Sequence, residues 1–256
     1  MTDRRQKSAI ARYSSLARNP RADAATGVGR ASDTLHKTRF IWADIARKLK
    51  LRRGARMLDL GCGFGDLTRH CLEARRALAI ELVLFDIPGV LRRLRREFGP
   101  LLREGVRLHP GVFPATTTAQ FRRAAPFDLI LAYSVLHYTD NPLAFVGAAT
   151  RLLAPGGRLL IGDLPNVNRK GRFLASDAGR AFEARYRGVP VDALPRYRSH
   201  RDFVRRGNIQ NGKISDRLVV QILGKCRAAG LDAYVLPQDH RLPYCHTRED
   251  ILICRP

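Results

Sequence analysis

Short apolar runs alternate along this chain with stretches in which apolar residues return every three or four positions. Residues 57–60, 80–85, 106–109, 127–132 and 158–162 read as strands, the second broken only by Glu81. Between them the spacing predicts helices over 67–78, over a stretch carrying Leu91, Leu94 and Phe98 behind Pro88, and over 143–153, where Pro155, Gly156 and Gly157 supply a stop. Helical spacing returns over 215–229 and ends at Gly230. Two more strands, 233–236 and 250–254, follow around a long loop. Repeated strand, helix, strand units predict an α/β fold with a doubly wound, mostly parallel sheet of seven strands.

Two segments depart from this alternation. Residues 1–32 hold short helical patches interrupted by Asn19-Pro20 and Gly27-Val28-Gly29, which predicts an arm that packs over the domain or frays. From Ser32 or Asp33, a plausible N-cap, Leu35, Ile41, Ile45 and Leu49 mark a helix leading to the first strand. Residues 164–213 are rich in Arg, Gly, Asn and Pro and follow the fifth strand, so they are expected to cap the carboxyl ends of the sheet, where ligands bind in open α/β folds. The chain thus divides into a helical arm or lid, 1–50, and a main domain, 51–256, with its insertion at 164–213.

Composition changes this picture in one respect. The 256 residues carry a formal charge of +23, a field that attracts nucleic acid, anionic membrane or phosphorylated molecules. The cations are mostly arginines scattered through every segment, which supports non-specific attraction rather than a dedicated nucleic-acid surface. No apolar run approaches the roughly 20 residues needed to cross a bilayer, and no secretory signal is evident. The five cysteines lack CxxC or zinc-type spacing, so they read as reduced thiols of a cytoplasmic protein without a metal site.

The chemistry concentrates at the end of the first strand. Asp59 is followed by Gly61, Gly63 and Gly65, with Cys62 tolerated between them because it is small. Alternate glycines let backbone pass a ligand closely. A dinucleotide fingerprint would place its third glycine at position 66, which is Asp, and a carboxylate at Asp59 sits badly beside a pyrophosphate. An ammonium would suit it. Asp86 ends the second strand about 20 residues beyond the glycines, where an acid can accept both hydroxyls of an adenosine ribose, and Ile87 beside it can face the base.

The pattern of acid, any residue and three alternating glycines resembles motif I of the class I S-adenosylmethionine-dependent methyltransferases. The helix, Leu-x-Pro-Gly-Gly turn and apolar strand at 143–162 are similar to that family too, and the resemblance spans 57–163. It implies S-adenosyl-L-methionine as cofactor and S-adenosyl-L-homocysteine as product. It also implies an antiparallel hairpin of the last two strands at the sheet edge, and Asp59 holding the cofactor's amino acid end. By the same resemblance Val112 or Phe113 flanks the adenine, and the segment opened by Tyr133 and Ser134 passes under the methyl. His137, near neutral in basicity, and Asp163, at the mouth of the fifth strand, are the candidate proton acceptors. A structural, helix-capping role weighs equally for His137. The Asn-Pro-Pro-Tyr and Pro-Cys patterns of base methylation are absent from the sequence. Together with the basic insertion and a loose similarity of 162–166 and 248–253 to methyltransferases of bacterial surface-carbohydrate pathways, this points to O-methylation of a small anionic or sugar-type acceptor, a sugar or nucleotide-sugar. RNA methylation and a non-catalytic cofactor-binding regulator are the alternatives.

Overall fold

A computed structural model describes residues 4–19, 36–102, 105–206 and 214–256. Its frame is a seven-stranded sheet in the order β3-β2-β1-β4-β5-β7-β6. The strands are β1 (Arg56–Leu60), β2 (Glu81–Asp86), β3 (Val106–Pro110), β4 (Phe127–Tyr133), β5 (Leu153–Pro165), β6 (Asp232–Pro237) and β7 (Arg248–Cys254). The first five are parallel, and β7 runs antiparallel to both β5 and β6, as the resemblance implies. The chain builds outward from β1 to β3 and then returns to the other side of β1 with β4. That reversal leaves a crevice at the carboxyl ends of β1 and β4.

Helices cover both faces, which is why the central strands are apolar on both sides. Helices α1 (Arg4–Arg18), α2 (Thr38–Leu49), α3 (Asp66–Leu78) and α4 (Pro88–Phe98) bury Ile45, Leu49, Leu72 and Leu94 against Met57, Leu84 and Leu131. On the opposite face α5 (Ala119–Arg123), α6 (Pro142–Thr150) and α10 (Asp216–Ala228) bury Phe121, Phe145 and Ile222 against Leu58, Ile130 and Ile161. Asp59 falls between Leu58 and Leu60 and so shares its face with Met57, the side of α1 to α4.

The insertion, which departs from the strand-helix alternation as its composition suggested, is built of short helices. It holds α7 (Val167–Leu174), α8 (Asp177–Arg187) and α9 (His200–Arg206). Asn166 and Ser176 cap the first two through their side chains. The helix stop expected at 155–157 falls earlier. Helix α6 ends at Thr150, and Leu152 is already paired to the Phe127 amide at 2.8 Å. The Pro-Gly-Gly turn lies inside β5, where Gly156 at φ +69° absorbs a register shift between the Phe127–Leu153 and Leu129–Arg158 pairs. The expected N-cap at Ser32 or Asp33 and the glycines at 27 and 29 lie outside the described residues.

Candidate active site

The turn after β1 is tied down before any ligand is considered. The Gly61 amide donates to Phe85 O at 2.7 Å, and Thr68 Oγ1 donates to Cys62 O at 2.6 Å. Gly61 and Gly63 take φ of +77° and +66°, a region that side chains disfavour. At Gly61 space is also limiting, since a Cβ there would stand 2.6 Å from Val135 Cγ2. The β1 turn and the segment after β4 therefore close on each other with nothing between them.

Around this crossing lies a cavity of about 190 Å³. Asp59, Gly61, Cys62, Gly63, Gly65, Asp86, Ile87, Val112, Phe113, Tyr133 and Ser134 all line it. Asp86 stands at the tip of β2, in register with the residue after Leu60, so the two carboxylates occupy adjacent strand ends. Asp86 Oδ2 accepts from the Gly63 amide at 2.8 Å and Oδ1 from the Ile87 amide at 2.7 Å. Burial nonetheless raises its pKa to about 6, against the lowering effect of those two donors. Asp59 is 5% exposed and has no cationic partner among the described residues. Burial, and then the Asp86 charge, push its pKa up to about 8. A buried carboxyl pair without a counterion, beside backbone bare of side chains, matches a ligand carrying an ammonium and a diol.

Burial first, then the same two acids, holds the Cys62 thiol well above its usual range, so it is no nucleophile. Phe113 packs edge-on against Phe85 and Phe145 at ring distances of 5.9 and 5.1 Å, which fixes one wall of the cavity. His109 is structural, stacked on Phe121 at 4.8 Å with Nε2 3.2 Å from Thr118 Oγ1.

Helix α1, in the segment expected to be an arm or lid, supplies wall residues that the sequence did not single out. Gln6, Ala9, Ile10 and Tyr13 form a further wall of the cavity, and Tyr13 Oη donates to Tyr138 Oη at 3.2 Å. Arg93 and Arg96 of α4 donate to the carbonyls of Leu16, Ala17 and Asn19, anchoring the carboxyl end of α1. The signal was present in the spacing of Ile10, Tyr13, Leu16 and Ala17, the apolar face that packs on α4.

The two candidate proton acceptors lie behind the wall rather than on it. His137 is buried in a short helical turn, Leu136–Tyr138, whose neighbours Val135, Tyr138 and Thr139 do line the cavity. Its Nδ1 has no hydrogen-bond partner among the described residues. Burial, then the Arg248 charge, lower its pKa to about 4 against the opposing pull of Asp163, so the ring is neutral at pH 7. Asp163 adopts φ +60°, as does Ser134 on the neighbouring strand. Its carboxylate is bound by Arg248 Nη1 at 2.6 Å, and the same nitrogen donates to its carbonyl at 3.1 Å. That ion pair occupies the Asp163 carboxylate, and sequence spacing gave no sign of Arg248. Among the described residues no cluster of His, Cys, Asp and Glu could hold a metal ion, and all five cysteines are free.

Residues 34–209 match a family described as Methyltransferase domain. The chain belongs to the class I S-adenosylmethionine-dependent methyltransferases. Among curated relatives of this methyltransferase, the ubiquinone biosynthesis O-methyltransferase of Xylella fastidiosa (strain M23) is 29% identical over 173 residues, 67% of this chain and 63% of that protein. The 27-O-demethylrifamycin SV methyltransferase of Amycolatopsis mediterranei is 30% identical over 156 residues, 61% of this chain and 55% of that one. The chain thus spans less than two thirds of the length of these relatives. Among solved structures, the mitomycin 7-O-methyltransferase MmcR superposes with a TM-score of 0.55 at 19% identity, over 95% of this chain and 60% of that one, a likeness of fold. The carboxyl pair and glycine crossing are the features of this methyltransferase that fit S-adenosylmethionine: Asp59 for the ammonium, Asp86 for the ribose hydroxyls.

Proposed function

We propose that this protein moves a methyl group from S-adenosylmethionine to an oxygen of a small acceptor that bears an anionic group. The observation that carries the reading is the buried Asp59 and Asp86 pair bracketing the glycine crossing. The cofactor's sulfonium supplies an electrophilic methyl, so the chain's own task is alignment and, for a hydroxyl acceptor, removal of one proton. Gly61, Gly63 and Gly65 admit the backbone crossing, Val112 and Phe113 flank the base, and Tyr133 and Ser134 form the floor beneath the methyl. His137, neutral and with Nδ1 unpartnered, is the residue we assign to the acceptor proton; Asp163, held by Arg248, serves as support. Oxygen as the target atom is favoured by relatives that include a ubiquinone biosynthesis O-methyltransferase and a 27-O-demethylrifamycin SV methyltransferase.

A sugar or nucleotide-sugar acceptor was expected from the basic insertion. Two of its cations are already engaged, Arg172 with Asp216 at 2.5 Å and Arg169 with Glu249 at 3.9 Å. This favours one anionic group over a diphosphate. Calorimetry should find micromolar S-adenosylhomocysteine, and labelled-methyl assays should mark sugar phosphates or hydroxylated acids in a metabolite panel but not total RNA. Absence of binding heat would remove the cofactor, and label confined to RNA would remove the small acceptor.

A further inference from the structure

At the carboxyl end of β5 and the amino end of β7, outside the cofactor cavity, a cation and a set of rings converge. Arg248 spends one nitrogen, Nη1, on Asp163. Its guanidinium carbon lies 4.9 Å from the centre of the Tyr244 ring, and among the described residues no hydrogen-bond or ion-pair partner engages Nε or Nη2. The Tyr186 ring of α8 meets Tyr244 edge to face at 6.5 Å and lies parallel to Phe182 at 6.4 Å. Tyr186 is 57% exposed although it is large and aromatic. His137, nine-tenths buried and with Nδ1 unpartnered, is the neighbour whose basicity Arg248 and Asp163 both influence.

The register connects this group to the cavity. Tyr133 pairs with Gly162 and the Ser134 amide donates to Gly162 O at 2.9 Å, so Ser134, on the cavity wall, follows β4 where Asp163 follows Gly162 on β5. A molecule held at Arg248 therefore lies one strand from the floor of the cofactor site. Both Ser134 and Asp163 are non-glycine residues at φ +60°, a conformation retained where surrounding contacts enforce it. For Asp163 one enforcing contact is visible: its amide donates to the buried Asp250 Oδ1 at 2.8 Å.

We propose that Arg248, Tyr244 and Tyr186 form the acceptor subsite, and that it takes a planar hydroxylated carboxylate, the carboxylate on the free edge of Arg248 and the ring along the tyrosines. This rests on the methyl-transfer reading above and narrows its acceptor class. A guanidinium with one edge already on a carboxylate suits a single planar anion, which it can meet with two parallel N–H donors. A sugar would need several hydroxyl partners, whereas the flank of Arg248 is built of the Tyr244 and Tyr186 rings. The hydroxyl to be methylated then faces the cavity on the His137 side.

The test uses the full chain saturated with S-adenosylhomocysteine, whose binding is measured first and by itself. Ligand-observed NMR titrations follow with 3-hydroxybenzoate, phenol and glucose 1-phosphate. The expected result is millimolar or tighter binding of 3-hydroxybenzoate, at least tenfold weaker binding of phenol, and none of the sugar phosphate. Arg248→Gln should weaken 3-hydroxybenzoate at least tenfold with the S-adenosylhomocysteine affinity unchanged. Because Arg248 also holds Asp163, Tyr186→Ala provides a second variant at an exposed position, and it should weaken the same probe severalfold. Equal binding of phenol and 3-hydroxybenzoate, preference for glucose 1-phosphate, no probe bound by the loaded protein, or both variants binding as wild type would each overturn the subsite. Failure of S-adenosylhomocysteine itself to bind would overturn the earlier reading and this one with it.

Discussion

Cofactor affinity should depend steeply on pH if the two carboxyls we assign to it, whose pKa values burial raises, must ionise to bind. Asp59, with a pKa near 8, and Asp86, near 6, are raised by burial with no cation to offset it among the described residues. An ammonium is attracted only to the ionised form of Asp59. At pH 8 about half of that carboxyl is ionised, and at pH 6 about 1% is, so affinity for S-adenosylhomocysteine should fall roughly 50-fold from Asp59 alone. Half-protonation of Asp86 at pH 6 weakens it about twofold more, for a total of roughly 100-fold or ~2.7 kcal/mol. Calorimetry at pH 6, 7 and 8, in two buffers of different ionisation enthalpy, should also record about one proton released per ligand at pH 7. Asp59→Asn should bind at pH 8 about as weakly as wild type does at pH 6, with most of the slope gone. A flat affinity from pH 6 to 8, or no proton release, would refute the claim that an unpartnered buried carboxyl waits for the cofactor.

The same shifts carry a sign for stability. Both folded-state pKa values lie above the unfolded ones, so their contribution is present below about pH 4 and is lost as pH rises toward 8. The ligand-free protein should therefore melt lower at pH 8 than at pH 6 as far as these groups decide it. The gain in Tm on adding S-adenosylhomocysteine should grow over the same interval.

Three further outcomes follow from particular contacts. Gly61→Ala sets a Cβ 2.6 Å from Val135 at a φ of +77°, and should lower S-adenosylhomocysteine affinity at least tenfold, with partial recovery in the Gly61→Ala, Val135→Ala double variant, as read by calorimetry. Lys48→Met removes the cation shared by two buried carboxylates, since Lys48 Nζ lies 2.5 Å from Asp44 and 2.6 Å from Asp250, leaving Asp44 with Arg47 and Asp250 with neutral donors; urea unfolding should show a loss of about 3–5 kcal/mol, and under 1 kcal/mol would contradict it. Removing residues 1–19 takes Gln6, Ala9, Ile10 and Tyr13 from the cavity wall, so stopped-flow dissociation of S-adenosylhomocysteine should speed up at least tenfold while circular dichroism retains the sheet.

What the sequence disclosed about this molecule follows the range of the forces involved. The central strands were legible because two-sided burial writes itself into contiguous residues such as 127–132, and the glycine turn because positive φ demands glycine at the position itself. The Pro-Gly-Gly segment misled because pairing with β4 overrides a local helix stop, drawing 153–157 into the sheet as a bulge. The helices inside the insertion went unread for the opposite reason: they are short and capped by Asn166 and Ser176, so their signal is local chemistry rather than a long apolar period. Least visible were the charges that act across the fold. Lys48 reaches Asp250 over 202 positions, Asp250 accepts from the Asp163 amide, and Asp163 binds Arg248. That chain links the helix before β1 to the strand ends beside the cofactor cavity, and no periodicity in any one of those segments records it. The acceptor side is therefore set by pairings between distant segments, whereas the cofactor side is set by residues that act where they stand in the chain, which is why motif reading reached one and stopped short of the other.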